Sequence, residues 1–548
     1  MDSSANQLPS SVAETLSACP RFRILVVGKS GVGKSSLALV ISIHNQDIDI
    51  ADGRAGSADI RHEYTSPKNE RLILHDSQGF EPGSEDNWEL VEDFLRERSA
   101  METQDQVHAV WLCIQSPREG DRVQQAGDEK LLMLARQLNI SVIAVFTKFD
   151  RLLKEQQYQH RNRGTVEPAE IERQAEYQFD ERIKGFKQST GALIVKVSTD
   201  LKYRRRLETL NNLTTITIRS LGGVEESLPS DVGEWASDEP PEAAEGNVLP
   251  TLSNAHEGRQ LVFVAAQQTN AVQKIEFSVR EGFKKYWRNL GQSIFFQGQT
   301  LKNCVWRIHD DILRVWNLND PEKILRNEPF VNMILKLVEP ILQGHEGEID
   351  DETDKSKSND IVSNGVGTLT NLATSNPSAA PILIGIGVGL GLGILTVKFL
   401  FGAYKKTNLS AQYLVAYIVH LTCILHCIFT ASLEGSTRRE LSEEFITSVV
   451  ERYKKRDVFS IDQSIRGMSF YDGLEKKIRR LIYDSLSMTP NGSAMQPEVA
   501  ADKSDEQEVY ETSRAVHSAP GHHQGGTTSP RAKRKKARGA KDSQCIVA

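Results

Sequence analysis

The chain has 548 residues, 39% hydrophobic and 25% charged, with a formal net charge of -7. That length exceeds what one core supports, so about two or three domains are expected, and the apolar content excludes a wholly disordered polymer. The acidic balance argues against nucleic acid as a partner, and six cysteines without paired spacing fit a reducing compartment.

Residues 1–20 carry Asp2, Gln7 and Glu14 where a secretory leader needs an apolar core, and they read as a flexible N-terminus. An apolar strand, Phe22-Arg23-Ile24-Leu25-Val26-Val27, then feeds Gly28-Lys29-Ser30-Gly31-Val32-Gly33-Lys34-Ser35. Glycines at this spacing let successive backbone N–H groups converge on phosphates. Lys34 brings a mobile charge to the β- and γ-phosphates, and the Ser35 hydroxyl is placed to ligate Mg²⁺. The helix that opens at Ser35 and Ser36 aims its positive end at the same anion.

A second strand is expected near residues 60–66, with a hydroxyl close by to complete the Mg²⁺ shell; Ser57 and Thr65 are the two candidates. The strand Arg71-Leu72-Ile73-Leu74-His75-Asp76 ends in an Asp-x-x-Gly turn. There Asp76 would hold Mg²⁺ through water, and the Gly79 amide would sense the γ-phosphate. Ser141 to Phe146 reads as another buried strand and runs into Thr147-Lys148-Phe149-Asp150. A carboxylate at Asp150 can accept from the ring N1–H and the 2-amino group of guanine together, a pair of donors that adenine lacks, while the Lys148 stem covers the base. An ATPase would leave Asp150 idle. After a strand over 192–198, Ser198 is placed to touch the guanine oxygen through its backbone.

With these residues in view, residues 22–200 resemble the P-loop G domain of the branch that holds the 50S ribosome-binding GTPases, septins, immunity-associated GTPases and chloroplast import receptors. The resemblance implies an α/β fold, a three-layer P-loop GTPase sandwich with a mostly parallel sheet, here followed by an α-helical domain. It also implies a GTP/GDP-operated module with Mg²⁺, often a homodimer through the G domain and often attached to a membrane. His75 to Gly83, with Ile308-His309-Asp310-Asp311-Ile312 and Val315-Trp316-Asn317, is similar to a group of fungal G-domain proteins. Phe80 follows Gly79 where many GTPases carry a water-positioning Gln, and Gln78 lies on the other side of the glycine. Slow hydrolysis is therefore expected unless a partner completes the site, and the catalytic residue stays unassigned. The alternative is a septin-like or dynamin-like scaffold that holds GTP at an oligomer interface with little turnover.

The G domain is expected over 21–222, with charged residues 151–189 as an insertion that is either a solvated face or a partner surface. Residues 223–258 are acidic and rich in Pro, Gly and Ser, which suits a linker. Apolar residues at spacings of three and four predict helices within Gln260–Glu281, Gly291–Val315 and Asp320–Gln343, a helical domain over 259–343 that resumes over 434–487 after a polar linker at 344–378. Trp287, Trp306 and Trp316 are assigned to its core.

Between the two parts, 379–433 holds two apolar runs, Ala379–Val397 and Leu409–Leu433, joined near Lys405-Lys406. Either they form a hairpin in lipid with the G domain on the cytosolic side, or they are central helices of the helical domain. His420, Cys423 and Cys427 share one helical face, as buried residues or as ligands of a soft metal. Residues 488–548 read as a disordered tail with a basic cluster from Arg531 to Lys541, ending in Cys545-Ile546-Val547-Ala548. This pattern matches a prenylation box supported by a polybasic second signal; the competing reading is a nuclear-import patch. The expected location is the cytosolic side of a membrane, by insertion or by lipid, and otherwise the cytoplasm.

Overall fold

The computed structural model describes residues 8–42, 59–79, 85–121, 123, 126–160, 167–222, 250–282, 296–345, 349, 392–405, 407–433, 440–456, 458–468 and 473–486. They belong to one compact unit, Met1–Ala494. Six strands form one sheet: β1 (Phe22–Gly28), β2 (Tyr64–Ser66), β3 (Asn69–Asp76), β4 (Ala109–Gln115), β5 (Ser141–Thr147) and β6 (Leu193–Lys196). The order is β2-β3-β1-β4-β5-β6, all pairs parallel except β2–β3. The chain leaves β1 to β3 on one side and β4 on the other, so the order reverses at the C-terminal end of β1, where α/β sheets bind ligands.

Every residue of β1 is buried, as a strand covered on both faces requires. One face packs α2 (Lys34–Ser42) and α7 (Arg206–Leu221); the other packs α3 (Glu85–Ser99) and α4 (Ala126–Gln137). The charged stretch after Asp150 forms α5 (Phe149–His160) and α6 (Pro168–Thr190), whose Phe179, Ile183 and Phe186 cover Phe146 and Phe149. One face of that insertion is thus core, and its charges lie outward in pairs such as Arg182–Glu155.

Two local expectations change. The N-terminal stretch contains a helix, α1 (Ser11–Ala18), because Ser10 accepts from the Ala13 N–H as its cap and Val12 and Leu16, one turn apart, are both buried. Residues 60–63 make a turn instead of extending β2. The Asp59 side chain accepts from the Arg61 N–H at 2.9 Å, and its carbonyl from the His62 N–H at 3.0 Å, an Asx-type alternative to the strand ladder. Buried Arg23 on β1 fixes this turn by donating to Glu63 at 2.5 Å and to Asp105 at 3.0 Å. His75, pushed down to about 4 by burial, is neutral and donates to the Ile60 carbonyl at 2.9 Å.

Helix α8 (Pro250–Ala266) begins inside the stretch expected to be linker, and residues 223–249 lie outside the described residues. Its Leu261 to Ala266 join the core on the α2 face of the sheet, beside Phe22 and Ile24. The expected single helix over 260–281 is two, α8 and α9 (Ala271–Gly282), separated by a buried polar knot. Gln267 accepts from the Thr269 and Asn270 N–H groups, and Asn270 donates to the Asn211 carbonyl and to Thr214 and Thr215 of α7. Fully buried Lys274 donates to the carbonyls of Val264 and Ala265 and to Val315 of α10 (Leu301–Trp316), so one ammonium satisfies the ends of two helices. Asn317, held at φ 46° as the α10 cap, donates to Asn69 and accepts from Arg71 of β3. Asn69 in turn donates to the Ala266 carbonyl at 2.7 Å.

The remaining helices are α11 (Glu328–Val338), α12 (Ile394–Phe401), α13 (Asn408–Leu433), α14 (Glu443–Lys454), α15 (Val458–Arg466) and α16 (Leu474–Leu486). The expected helix over 320–343 is α11 flanked by two 3₁₀ turns, with Pro329 opening α11 and Pro340 beginning the second turn. Trp316 is fully buried and Trp306 partly so, while Trp287 lies outside the described residues.

Helix α13 is long and apolar enough to cross a membrane, with mean hydropathy 2.0 in its most apolar window, and 78% of that window is buried. Around it pack α9, α10, α11, α14, α15 and α16. Polar bonds reach it from several of them: Tyr417 to His309 at 2.9 Å, His420 to Tyr453 at 2.9 Å and to Asp462 at 3.3 Å. Among the described residues no group of three His, Cys, Asp or Glu could hold a metal. His420 and Cys423 are fully buried. Most of Ala379–Val397 lies outside the described residues, except its end, where Leu392 is buried.

Lys274→Met should lower stability by about 2–3 kcal/mol, because it leaves helix-end carbonyls buried and unpaired. A denaturant midpoint unchanged from the wild type would contradict that role.

Candidate nucleotide-binding site

The loop after β1 bends through positive φ at Gly28 (140°), Gly31 (72°) and Gly33 (106°). At Gly28 a β-carbon would overlap the Cys113 carbonyl of neighbouring β4, so the P-loop needs glycine there for space as well as for its dihedral. At Gly79 a β-carbon would overlap the Ser30 amide, which places the Asp-x-x-Gly turn directly against the loop. Asn87 of α3 holds that turn by donating to the Gly79 carbonyl at 3.1 Å.

Lys34 is buried, and its ammonium donates to the carbonyls of Gly28 and Lys29, each at 3.0 Å. Ser35 opens α2 and donates to Asp76 Oδ2 at 2.9 Å, joining the two residues expected at the metal. Asp76 Oδ1 is buried with no hydrogen-bond partner, as is the Ser77 hydroxyl beside it. Burial pushes the Asp76 carboxyl up, opposed by the Lys34 charge and the Ser35 bond; burial pushes Lys34 down, opposed by Asp76. An orphaned carboxylate oxygen next to a hydroxyl, both hard oxygen donors, fits a divalent cation such as Mg²⁺. Ser36 is exposed on the first turn of α2, where backbone N–H groups have no partner within the helix. Thr65 sits exposed in the middle of β2, and Ser57 and Phe80 lie outside the described residues. Gln78 lines a cavity of about 260 Å³ with Ser77 and Asn87.

The base-reading segment is tied to the same loop. Thr147 at the end of β5 donates to the Val32 carbonyl at 2.5 Å. Lys148, at φ 56°, donates to the Gly31 carbonyl and to Gln115 at 3.1 Å. Its stem passes 3.7 Å from the place of a β-carbon on Gly33. Asp150 lies in the first turn of α5 and accepts from the Ser198 hydroxyl at 2.8 Å. Ser198 thus meets Asp150 through its side chain, and its N–H donates to Thr209 Oγ1 at 3.3 Å.

Two residues here were not singled out from sequence. Lys154, one turn after Asp150, donates to Asp150 Oδ2 at 3.0 Å and to Asp200 Oδ2 at 2.8 Å. The Asp200 N–H donates to Ser198 Oγ at 3.2 Å, closing a ring of four residues. The i,i+4 spacing of Asp150 and Lys154 was the available signal; nothing local announced Asp200. Beside the loop a cavity of about 420 Å³ is lined by Lys29, Ser30, Gly31 and Val32 together with Gln115 and Asp121.

A family model described as 50S ribosome-binding GTPase matches residues 23–148. A second model, described as a domain of unknown function, matches residues 324–493. No curated protein matches the chain. The sheet order, the loop and the first match agree: the chain carries a P-loop G domain, and with it guanine-nucleotide binding.

Asp76→Asn tests the charge at the metal position. A carboxyl whose folded pKa is raised costs the fold stability above that pKa and costs nothing below it. The nucleotide-free variant should be more stable than wild type near neutral pH, and the difference should vanish in acid. Mg²⁺-dependent nucleotide affinity should fall at least about tenfold. Equal thermal midpoints at pH 7 would show that the carboxylate carries no such cost.

Proposed function

We propose that the chain is a guanine-nucleotide switch that binds GTP with Mg²⁺, hydrolyses it slowly and passes the nucleotide state to the helical body. The observation that carries this is β3. Its C-terminal Asp76 bonds Ser35 of the P-loop, and its N-terminal Asn69 bonds the Ala266 carbonyl and Asn317. One rigid strand therefore joins the γ-phosphate end of the site to the helices.

The chemistry assigned to each residue follows from its position. Lys34 neutralises the β- and γ-phosphates, Ser35 and Asp76 hold the metal, and Gly79, pressed on Ser30, offers its N–H to the γ-phosphate. Mg²⁺, which Ser35 and Asp76 would hold, would supply positive charge that offsets the phosphates. Asp150, fixed by Ser198, takes the two guanine donors. Slow turnover follows from Phe80 after Gly79, since an aromatic ring orients no water. A partner, such as a second G domain, would supply the missing group.

The same reading assigns α13, the second of the two apolar runs, to the helical body. What supports it is the set of bonds that reach α13 from His309, Tyr453 and Asp462, partners that a lipid-facing helix would lack. Association with a cytosolic membrane face is then proposed for the basic residues 531–541, which suit anionic lipid; this cluster and Cys545 lie outside the described residues.

Two measurements test the proposal. Asp150→Asn should weaken GTP binding roughly tenfold to a hundredfold, the cost of a hydrogen bond to a charged group, and should gain affinity for xanthosine triphosphate, which presents an acceptor in place of the 2-amino donor. Unaltered base preference would remove guanine recognition. For the membrane, the full chain should stay soluble without detergent and float with vesicles containing phosphatidylserine, and glutamine at Lys533, Arg534, Lys535 and Lys536 should abolish flotation. Flotation that persists in that variant would return the anchor to 379–433.

A further inference from the structure

The ring around Asp150 goes beyond what a guanine-reading carboxylate needs for its own support. Ser198 Oγ donates to Asp150 Oδ1 at 2.8 Å, and Lys154 Nζ donates to Oδ2 at 3.0 Å, so each oxygen is held from outside. Lys154 also donates to Asp200 Oδ2 at 2.8 Å, the Lys202 N–H donates to Asp200 Oδ1 at 2.9 Å, and the Asp200 N–H returns to Ser198 Oγ at 3.2 Å. The ring links the β5–α5 turn to the β6–α7 loop across 46 to 48 residues of sequence.

We infer that Lys154 and Asp200 are positioning residues for base recognition, which lock the plane of the Asp150 carboxylate so that both of its oxygens read the purine edge. The inference rests on the proposed guanine site and adds to it the residues that set its selectivity.

The physical argument is one of lone pairs and rotation. A carboxylate has about four acceptor directions. Ser198 and Lys154 take two of them, one on each oxygen, and leave two for the N1–H and 2-amino donors of guanine. Carboxylate torsion is soft, so a group held at one oxygen alone swings about that bond, and only one donor of the base then finds an aligned acceptor. Held at both oxygens, the group is preorganised for the pair. Asp200 gives Lys154 its second anchor: the Lys154 hydrogen bond holds the Asp200 carboxyl below its ordinary value, and the same bond pushes Lys154 up. Without the ammonium, two carboxylates would face each other across the ring.

Inosine triphosphate is the discriminating probe, because it keeps the N1–H of guanine and lacks the 2-amino group. In the full chain, Lys154→Met should weaken GTP binding about tenfold while inosine triphosphate loses less, so that the preference between the two shrinks toward one. Lys154→Arg, which keeps a charge and donors, should restore the preference. Asp200→Asn should reduce it partially, and in a double-mutant cycle the losses from Lys154→Met and Asp200→Asn should be less than additive. ATP binding, which engages the P-loop without the carboxylate pair, should not change in any variant and so reports on folding. If the wild type prefers GTP to ATP and Lys154→Met leaves the ratio of GTP to inosine triphosphate unchanged, this inference is overturned while the guanine site stands. If the wild type shows no preference for GTP over ATP, the proposed guanine site itself fails.

Discussion

Two points where backbone meets backbone without room for a side chain govern the site. Gly28 lies against the Cys113 carbonyl and Gly79 against the Ser30 amide, and a β-carbon at either would force strand or loop apart. Closeness at Gly28 seats the P-loop on β4, whose first five residues are buried, so the loop is anchored to the interior of the parallel sheet. Closeness at Gly79 makes the turn after β3 part of the same concave surface. With the three segments fixed by these two approaches, Ser35 bonds Asp76 and the Lys34 ammonium bonds the loop's own carbonyls at Gly28 and Lys29.

A second constraint sets what that surface can influence. The G domain and the helices share the core that holds Phe22, Leu213, Leu261 and Phe277, and their seam is polar and hydrogen-bonded at Asn69, Asn270, Lys274 and Asn317. A seam of this kind resists sliding, since any shift leaves buried amides and carbonyls unmet. Motion at Asp76 would therefore have to appear as displacement of β2–β3 together with the helix ends it touches. The Arg23–Glu63 pair and the His75–Ile60 bond hold the turn at residues 60–63.

The segments expected to bind phosphate and base stood out in the sequence because that chemistry fixes both residue type and spacing along a few consecutive positions. Gly28 to Ser35 and Thr147 to Asp150 could be read without knowing what packs on them. Where the deciding partner is distant, reading fails for a physical reason. The break between α8 and α9 looks like continuous helix until Asn211 and Thr214 of α7 are seen to satisfy Asn270. Ser198 was read for its backbone, while its hydroxyl bonds Asp150, 48 residues away, and Asp200 gains its place only from Lys154, 46 residues away. Helix α1 is short, and its stability comes from the buried pair Val12 and Leu16 more than from propensity. The apolar run Leu409–Leu433 was ambiguous because a core helix and a membrane span share one composition; the bonds that reach α13 from His309, Tyr453 and Asp462 are what the proposed core reading rests on.

The distribution of unmet polar atoms carries the last step. At the seam, Asn270 and Lys274 each satisfy several groups at once. At the C-terminal ends of β3 and β4, by contrast, Asp76 Oδ1, Ser77 Oγ and Ser116 Oγ are buried with no partner. Leaving such groups unmade costs about 1–3 kcal/mol each, and the chain accepts that cost beside Lys34, whose own charge burial disfavours. A ligand that brings phosphate oxygens to Lys34 and a divalent cation to Asp76 removes both penalties together. Binding of such a ligand would recover that cost at the Asp76 end of β3, the end opposite Asn69 and the helical body.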